Sequence, residues 1–450
     1  MVKRGSESAI KWLIPMLGIP LILAACSGGN NGEQTAASSS TPGGTGKTKI
    51  TFMQWGTQEE VNQTKELLKK FNEKFPDIEV EITSKDWETY WTAITAQAAS
   101  KTMPDVFKMD EAYLDKYAKL GAMKDLTELM SKNSFDTSQF EPNVLGKLQS
   151  ESKQYALPRD ANTIIMYYNK KLFADPKSNP SGVKPPVGEM TWDEFIKIAQ
   201  KMTVDKAGKT ADQEGFNPKS VVQWGLVMDP AGSADSVLES QLWSNGAKLV
   251  DENKAFAMES PEAMQVLETF RSYITELYAV PNYGQSQTLS KDPFLALTTG
   301  KVAMGFGGSW NATEYEQAGI EFEAILPPKF KEEKTVIQVT GYSIGASSKK
   351  DEAAWTLMNW LSGAEGQIAL AEQGQSVPAN KQAADAYHAK DEGYNKQVFL
   401  DSQKYAIPVP FFDGKEKLLW EIIPQKLANP LSGKGELDKA VQDIKKAYGN

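Results

Sequence analysis

Two residue types that build many reactive centres are almost missing: 450 residues contain one cysteine, Cys26, and one histidine, His388. Without a second histidine or a spare cysteine in the body, a histidine-based nucleophile triad or a metal cluster is hard to assemble. His388 falls in a helical stretch, residues 381–390, and is expected to be exposed rather than catalytic. The apolar stretch at residues 12–23 is interrupted by Pro15, Gly18 and Pro20 and is shorter than the about 20 residues a membrane-crossing helix needs. A basic excess is lacking too, since 49 Lys and Arg stand against 58 Asp and Glu for a formal net charge of −9. That balance argues against a nucleic-acid partner and against an electrostatic grip on anionic lipid. No Gly-x-x-x-x-Gly-Lys-Ser/Thr stretch occurs, so the chain is not expected to hydrolyse nucleotide itself. No cofactor and no metal site are expected.

What is present begins with Lys3, Arg4 and Lys11, the apolar stretch, and Leu23-Ala24-Ala25-Cys26. A basic start, an apolar middle and a small-residue processing site are the layout of a secretory signal peptide. The Leu-Ala-Ala-Cys end resembles the lipobox of bacterial lipoproteins, which implies a lipid on the Cys26 sulfur and removal of everything before it. Residues 27–46 contain no large apolar side chain and read as a Gly/Ser-rich tether with an r.m.s. span of roughly 25 Å. The expected organisation is a leader at 1–26, a tether at 27–46, and a body of about 400 residues, enough for two domains. The expected location is extracytoplasmic, anchored to the cell membrane by lipid.

The body opens with a short alternating run at residues 49–55 that breaks at Gly56, which reads as a strand and a turn. Val61, Leu67, Leu68, Phe71 and Phe75 then recur at helical spacing. Pro76 and Asp77 stop that helix, and Ile78, Val80 and Ile82 alternate as a second strand. This strand–helix–strand unit predicts an α/β fold with a parallel sheet. A helix at 87–100, a strand at 105–110 and a helix from Glu111 follow. Ligands of open α/β sheets sit beyond the carboxyl ends of strands, where Trp55 and Asp110 fall.

Six stretches carry a more specific signal: residues 50–56, 71–80, 104–113, 155–160 with 167–173, 300–310, and 341–344. In this order and at these intervals they resemble the extracellular sugar-binding subunits of ATP-binding-cassette importers, a maltose-binding-protein-like family. The resemblance implies a periplasmic-binding-protein-like fold, two α/β lobes joined by several crossover strands, with the ligand between them. It places the crossings at 155–160, 329–344 and 377–381. The amino lobe would be 47–157 and 329–380, and the carboxyl lobe 158–328 and 381–450. Hinge bending at the crossings would close the lobes on the ligand.

A sugar offers a face of C–H groups and an edge of hydroxyls, so its site combines flat rings with directional polar groups. Among 11 tryptophans, Trp55 follows a strand and precedes a glycine. Trp87 is preferred over Trp91, one turn on. Trp310 follows Gly307, Gly308 and Ser309, where the main chain can approach a ligand, and matches a sugar-stacking tryptophan of the maltose-binding relatives. Trp243 precedes Asn245 and Gly246 and is read as ligand-binding. Trp192 is assigned to local packing inside a capping box, Thr191 to Glu194, and Trp355 and Trp360 to packing along a helix. Arg159 and Asp160 on the first crossing and Asp110 at a strand end are expected to meet ligand hydroxyls. Gly341 and Tyr342 on the second crossing complete the set, although Tyr342 also suits a hinge-packing role. The maltose-binding relatives carry an acidic residue where this chain has Asn162, which weakens any transfer of maltose specificity.

The expected function is therefore capture of a sugar or short oligosaccharide by a monomeric receptor. It would present the closed complex to transmembrane permease subunits driven by separate ATPases. Two alternatives stand beside it. One is a binding protein for a polyamine, anion or peptide. The other is a surface carbohydrate-active enzyme, which needs only two carboxylates about 5 to 9.5 Å apart.

Overall fold

Strand β1, Thr48–Trp55, runs parallel to β2, Ile78–Lys85, and to β3, Val106–Asp110. Between β1 and β2 lies helix α1, Gln58–Lys74. It opens with a capping box in which Thr57 and Glu60 satisfy each other's backbone N–H groups, and it buries Leu67, Leu68 and Phe71. Helix α2, Trp87–Ser100, connects β2 to β3, and α3, Glu111–Lys119, follows β3 directly. The computed structural model describes residues 46–374, 376–388, 393–407 and 414–449. The expected leader, Cys26 and all but the last residue of the expected tether lie outside these residues, as does the side chain of His388.

Residues from Lys47 onward form one compact unit built on two main sheets. To the first belong β4, Leu157–Thr163, β10, Thr335–Ile344, and β11, Ala406–Ile407; the order is β11-β10-β3-β1-β2, with β4 also pairing β10. The second holds β5, Ile165–Asn169, β6, Val204–Asp205, β7, Val221–Val227, β8, Val302–Gly307, and β9, Phe322–Ile325. Its order is β9-β5-β8-β7-β6. The chain leaves the first sheet at Ile164, beyond Asp160, and returns to it between β9 and β10. It visits the second sheet's surroundings again at Tyr387, Val398 and Phe399, which pack with Ile165 and Tyr167. Two apolar clusters cover the faces of each sheet, which is why β3 and β8 are buried along their length rather than alternating. No helix among the described residues is long and apolar enough to cross a membrane.

Tryptophans assigned to packing by their sequence context sit in these cores. Trp192 is 2% exposed and its Nε1–H donates to Gln241 Oε1 at 2.7 Å. It opens the helix Trp192–Met202, whose Thr191–Glu194 capping box is present. Trp355 and Trp360 are buried on the helix Asp351–Ser362, with Trp360 edge-on to Phe71.

Candidate functional site

Trp55 ends β1 and Asp110 ends β3, so parallel strand ends bring both to one rim of the first sheet. Around Trp55 an aromatic cluster assembles. Trp87, the first residue of α2, stands perpendicular to it at 5.1 Å between ring centroids, and Tyr90 lies at 5.2 Å. Lys108 Nζ lies 4.1 Å from the Trp55 ring centroid; burial lowers its pKa from 10.5 to about 8. Of the two candidates one turn apart, Trp91 is buried and stacks on Tyr113 at 3.8 Å, whereas Trp87 is 38% exposed.

A residue from near the far end of the chain closes the cluster. Trp420 lies in a π-helical turn, Leu418–Ile422, leading into the helix Ile423–Leu431, and packs against the core of the second sheet. Its ring is 4.8 Å from Tyr113 and 6.4 Å from Trp87, so aromatic contact bridges the two sheets here. Single π-turns inside helices often mark functional positions. A second one, Ala234–Leu238, runs into the helix Glu239–Ser244.

That second turn supplies the polar half. Asp110, Glu111, Asp235, Glu239, Gln338 and Lys415 line one cavity beside the cluster. Asp110 caps α3, its Oδ1 accepting the Ala112 N–H at 2.9 Å. Burial, reinforced by Glu111 and Asp235, raises its pKa from 3.8 to about 7. Burial raises Glu239 likewise to about 7 despite Lys415 and Lys147, and raises Asp235. Glu111 pairs with Lys147 at 2.8 Å, and Gln338 Nε2–H donates to Asp235 Oδ2 at 3.1 Å.

The other expected residues are placed differently. Arg159 and Asp160 are buried on β4 and pair with each other; Asp160 Oδ1 also accepts from Thr340 Oγ1 at 2.8 Å, and Arg159 donates to Ser376 Oγ at 3.2 Å. They tie β4 to β10 and to the third crossing. Tyr342 is 3% exposed with its ring against Phe52, and burial pushes its hydroxyl up to about 12; of its two expected roles, this geometry is that of packing. At Gly341 the β4–β10 register shifts, and a Cβ there would come within 2.7 Å of the Leu157 carbonyl oxygen. Ser309 Oγ donates to Asn162 Oδ1, which also accepts the Val377 N–H at 3.0 Å. Asn162 thus joins three segments, β4, the turn at Ser309 and the crossing at Val377.

Trp310 folds over Gly308, so a Cβ there would lie 2.0 Å from the indole, and its ring contact is with Phe294 at 6.5 Å. Trp243 is half-buried with Lys248 Nζ 4.8 Å from its ring centroid. Among the described residues neither joins the cluster at Trp87. Gly308→Ala is expected to displace the Trp310 indole at a cost of about 1–3 kcal/mol, read as a lower urea midpoint without loss of helical signal. Sequence reading missed Tyr113, Trp420, Asp235, Glu239 and Lys415. Of these only Tyr113 lies in a stretch that carried the family resemblance.

Two helix-covered sheets, exchanged by a few strands and meeting at aromatic and carboxylate groups, define a two-lobed α/β binding protein. Residues 66–397 match the bacterial extracellular solute-binding protein family, and the chain belongs to it. A galactooligosaccharide-binding protein of Bacillus subtilis (strain 168) is 23% identical over 444 residues, covering 95% of this chain and 94% of its own. A maltodextrin-binding protein of the same organism is 23% identical over 444 residues, with 95% of each chain covered. Among solved structures, an ABC substrate-binding protein from Listeria monocytogenes in complex with cycloalternan superposes with a TM-score of 0.78 at 22% identity. The match covers 89% of this chain and 98% of that one. That likeness bears out the expected fold.

Proposed function

We propose that the protein is the lipid-anchored substrate-binding subunit of an ATP-binding-cassette importer and captures a sugar or short oligosaccharide between its lobes. The observation that carries this reading is the meeting of Trp420 with Trp87 and Tyr113 across the two sheets. Rings contributed from both sides of a cleft can sandwich the C–H faces of a pyranose while nearby carboxylates accept from its hydroxyls. Names of relatives that bind galactooligosaccharide and maltodextrin support the substrate class.

In this reading the lobes divide as the sequence suggests, at 47–157 with 329–380 and at 158–328 with 381–450, and the crossings act as hinges. Trp87, Trp55 and Asp110 contact ligand directly. Trp310, Ser309, Gly308 and Trp243 line the second lobe's wall, and Arg159, Asp160, Gly341 and Tyr342 hold the hinge. Cys26 carries lipid that keeps the monomer at the outer face of the cell membrane, and permease subunits receive the closed complex. No covalent chemistry is assigned.

The test is the unfolding midpoint of the protein against a panel of sugars, polyamines and peptides. A ligand bound only by the folded state at 100 times its dissociation constant adds about 2.7 kcal/mol. A rise with one group of sugars, reduced in Trp310→Ala, supports the receptor reading. A rise only with a polyamine or peptide removes the carbohydrate assignment and leaves the fold.

A further inference from the structure

The cavity beside the aromatic cluster has an unbalanced charge. Four carboxylates, Asp110, Glu111, Asp235 and Glu239, face two ammonium groups, Lys415 at its wall and Lys147 on Glu111. Lys108, the other cation near Asp110, is turned over the Trp55 ring. Glu239 is 2% exposed, and its Oε2 accepts no hydrogen bond from any described residue. A buried carboxylate oxygen without a donor is costly, so the site calls for one. The cavity sets carboxylates from β3 and α3 against those of the Ala234–Ser244 segment, and like charges held out of water repel one another.

The size of the missing donor follows from the space. The cavity has room for about one water-sized group. No set of three or more acidic groups among the described residues is arranged to hold a metal ion. A hydroxyl would fit but brings no charge. An ammonium group offers three N–H donors and a positive charge in the same volume. Its outer side would face rings, since Tyr113, which feels the charges of Asp110 and Asp235, is in contact with Trp420, and aromatic faces attract cations.

From this geometry we infer that the solute is an amine-bearing saccharide, whose protonated nitrogen enters the cavity and donates to Glu239 while its ring lies against Trp420 and Tyr113. This rests on the carbohydrate reading above and narrows it to amino sugars. It also gives the acidic cluster a role in selection. A neutral sugar leaves the carboxylates to take up protons instead, which makes its closed complex weaker at neutral pH.

The experiment is calorimetric titration of the protein at pH 7 with hexosamine mono- to trisaccharides of gluco, galacto and manno configuration. Each is set beside its N-acetylated form and its 2-hydroxyl parent. At least one free amine is expected to bind about tenfold or more tightly than both partners. In Glu239→Gln that preference should fall within about threefold, and Asp235→Asn should reduce it in the same direction. Equal or weaker binding of every free amine than of its neutral partners overturns the inference and leaves sugar binding intact. Ammonium chloride alone giving the same stabilisation as the amino sugar would also overturn it, because the site would then hold a free cation. No heat with any sugar, charged or neutral, overturns this inference and the carbohydrate reading together.

Discussion

Trp420→Ala should lower affinity for the sugar proposed as the ligand by about 30- to 100-fold, equivalent to about 2–3 kcal/mol. Its ring is half-buried, packs on the second sheet's core, and alone among the described tryptophans reaches Trp87 and Tyr113 from that side. Removing it deletes one wall of the aromatic sandwich and leaves Trp87 facing solvent. The fold should survive, because Leu418, Leu419 and Ile422 of the same turn are the fully or largely buried anchors. Trp243→Ala gives the comparison within the proposed binding wall: that ring pairs with Lys248 and does not reach Trp87 or Tyr113, so its loss should lower affinity less, by about threefold. Calorimetry on the two variants reads the difference directly, and wild-type affinity in Trp420→Ala would refute the placement of the site.

The second large effect is a dependence on pH opposite to that of ordinary carboxylates. Asp110 and Glu239 titrate near 7 in the folded protein, against 3.8 and 4.5 for the free side chains. Between those values the folded state binds more protons than the unfolded chain. Stability is therefore fully present below about pH 4 and is lost as the pH rises through about 7. Facing Asp110 are Glu111, Asp235, Lys415 and Lys108; facing Glu239 are Lys415, Lys147, Asp235 and Glu111. Carboxylates such as Asp105 and Asp125, whose pKa values are lowered, contribute with the opposite sign, but their window closes below about pH 4. Ligand-free protein should thus lose stability between pH 4.5 and 7.5, on the order of 2–4 kcal/mol, with part of the loss relieved by opening of the lobes. The urea midpoint at the two pH values measures it, and Glu239→Gln should flatten the curve. A midpoint that is constant or rises across that interval would contradict the burial of these two acids.

The first strand–helix–strand unit was legible because its cues are local. Alternation at Ile78, Val80 and Ile82, helical spacing from Val61 to Phe71, and the stop at Pro76 lie within a few residues of one another and reappear as β2 and α1. The capping box at Thr191 was readable for the same reason. The candidate site was readable only on its amino-terminal side, where Trp55, Trp87 and Asp110 fall at strand and helix ends and come together on one rim. Trp420 was not, since Leu418-Leu419-Trp420 reads as one more apolar run inside a helix, and Tyr113, which gives it meaning, is about 300 residues away. Arg159 and Asp160 show the converse. Their position on a crossing suggested ligand contact, but their partners, Thr340 and Ser376, lie on segments whose approach no spacing reveals.

The most direct test of the account is calorimetric titration of the protein with the sugar that raises its unfolding midpoint most. One site per chain is predicted, with a negative heat-capacity change from burying ring faces against Trp87 and Trp420, and binding that weakens at least about tenfold in Trp420→Ala. Saturable binding of a peptide or anion, with no heat from any sugar, would contradict it.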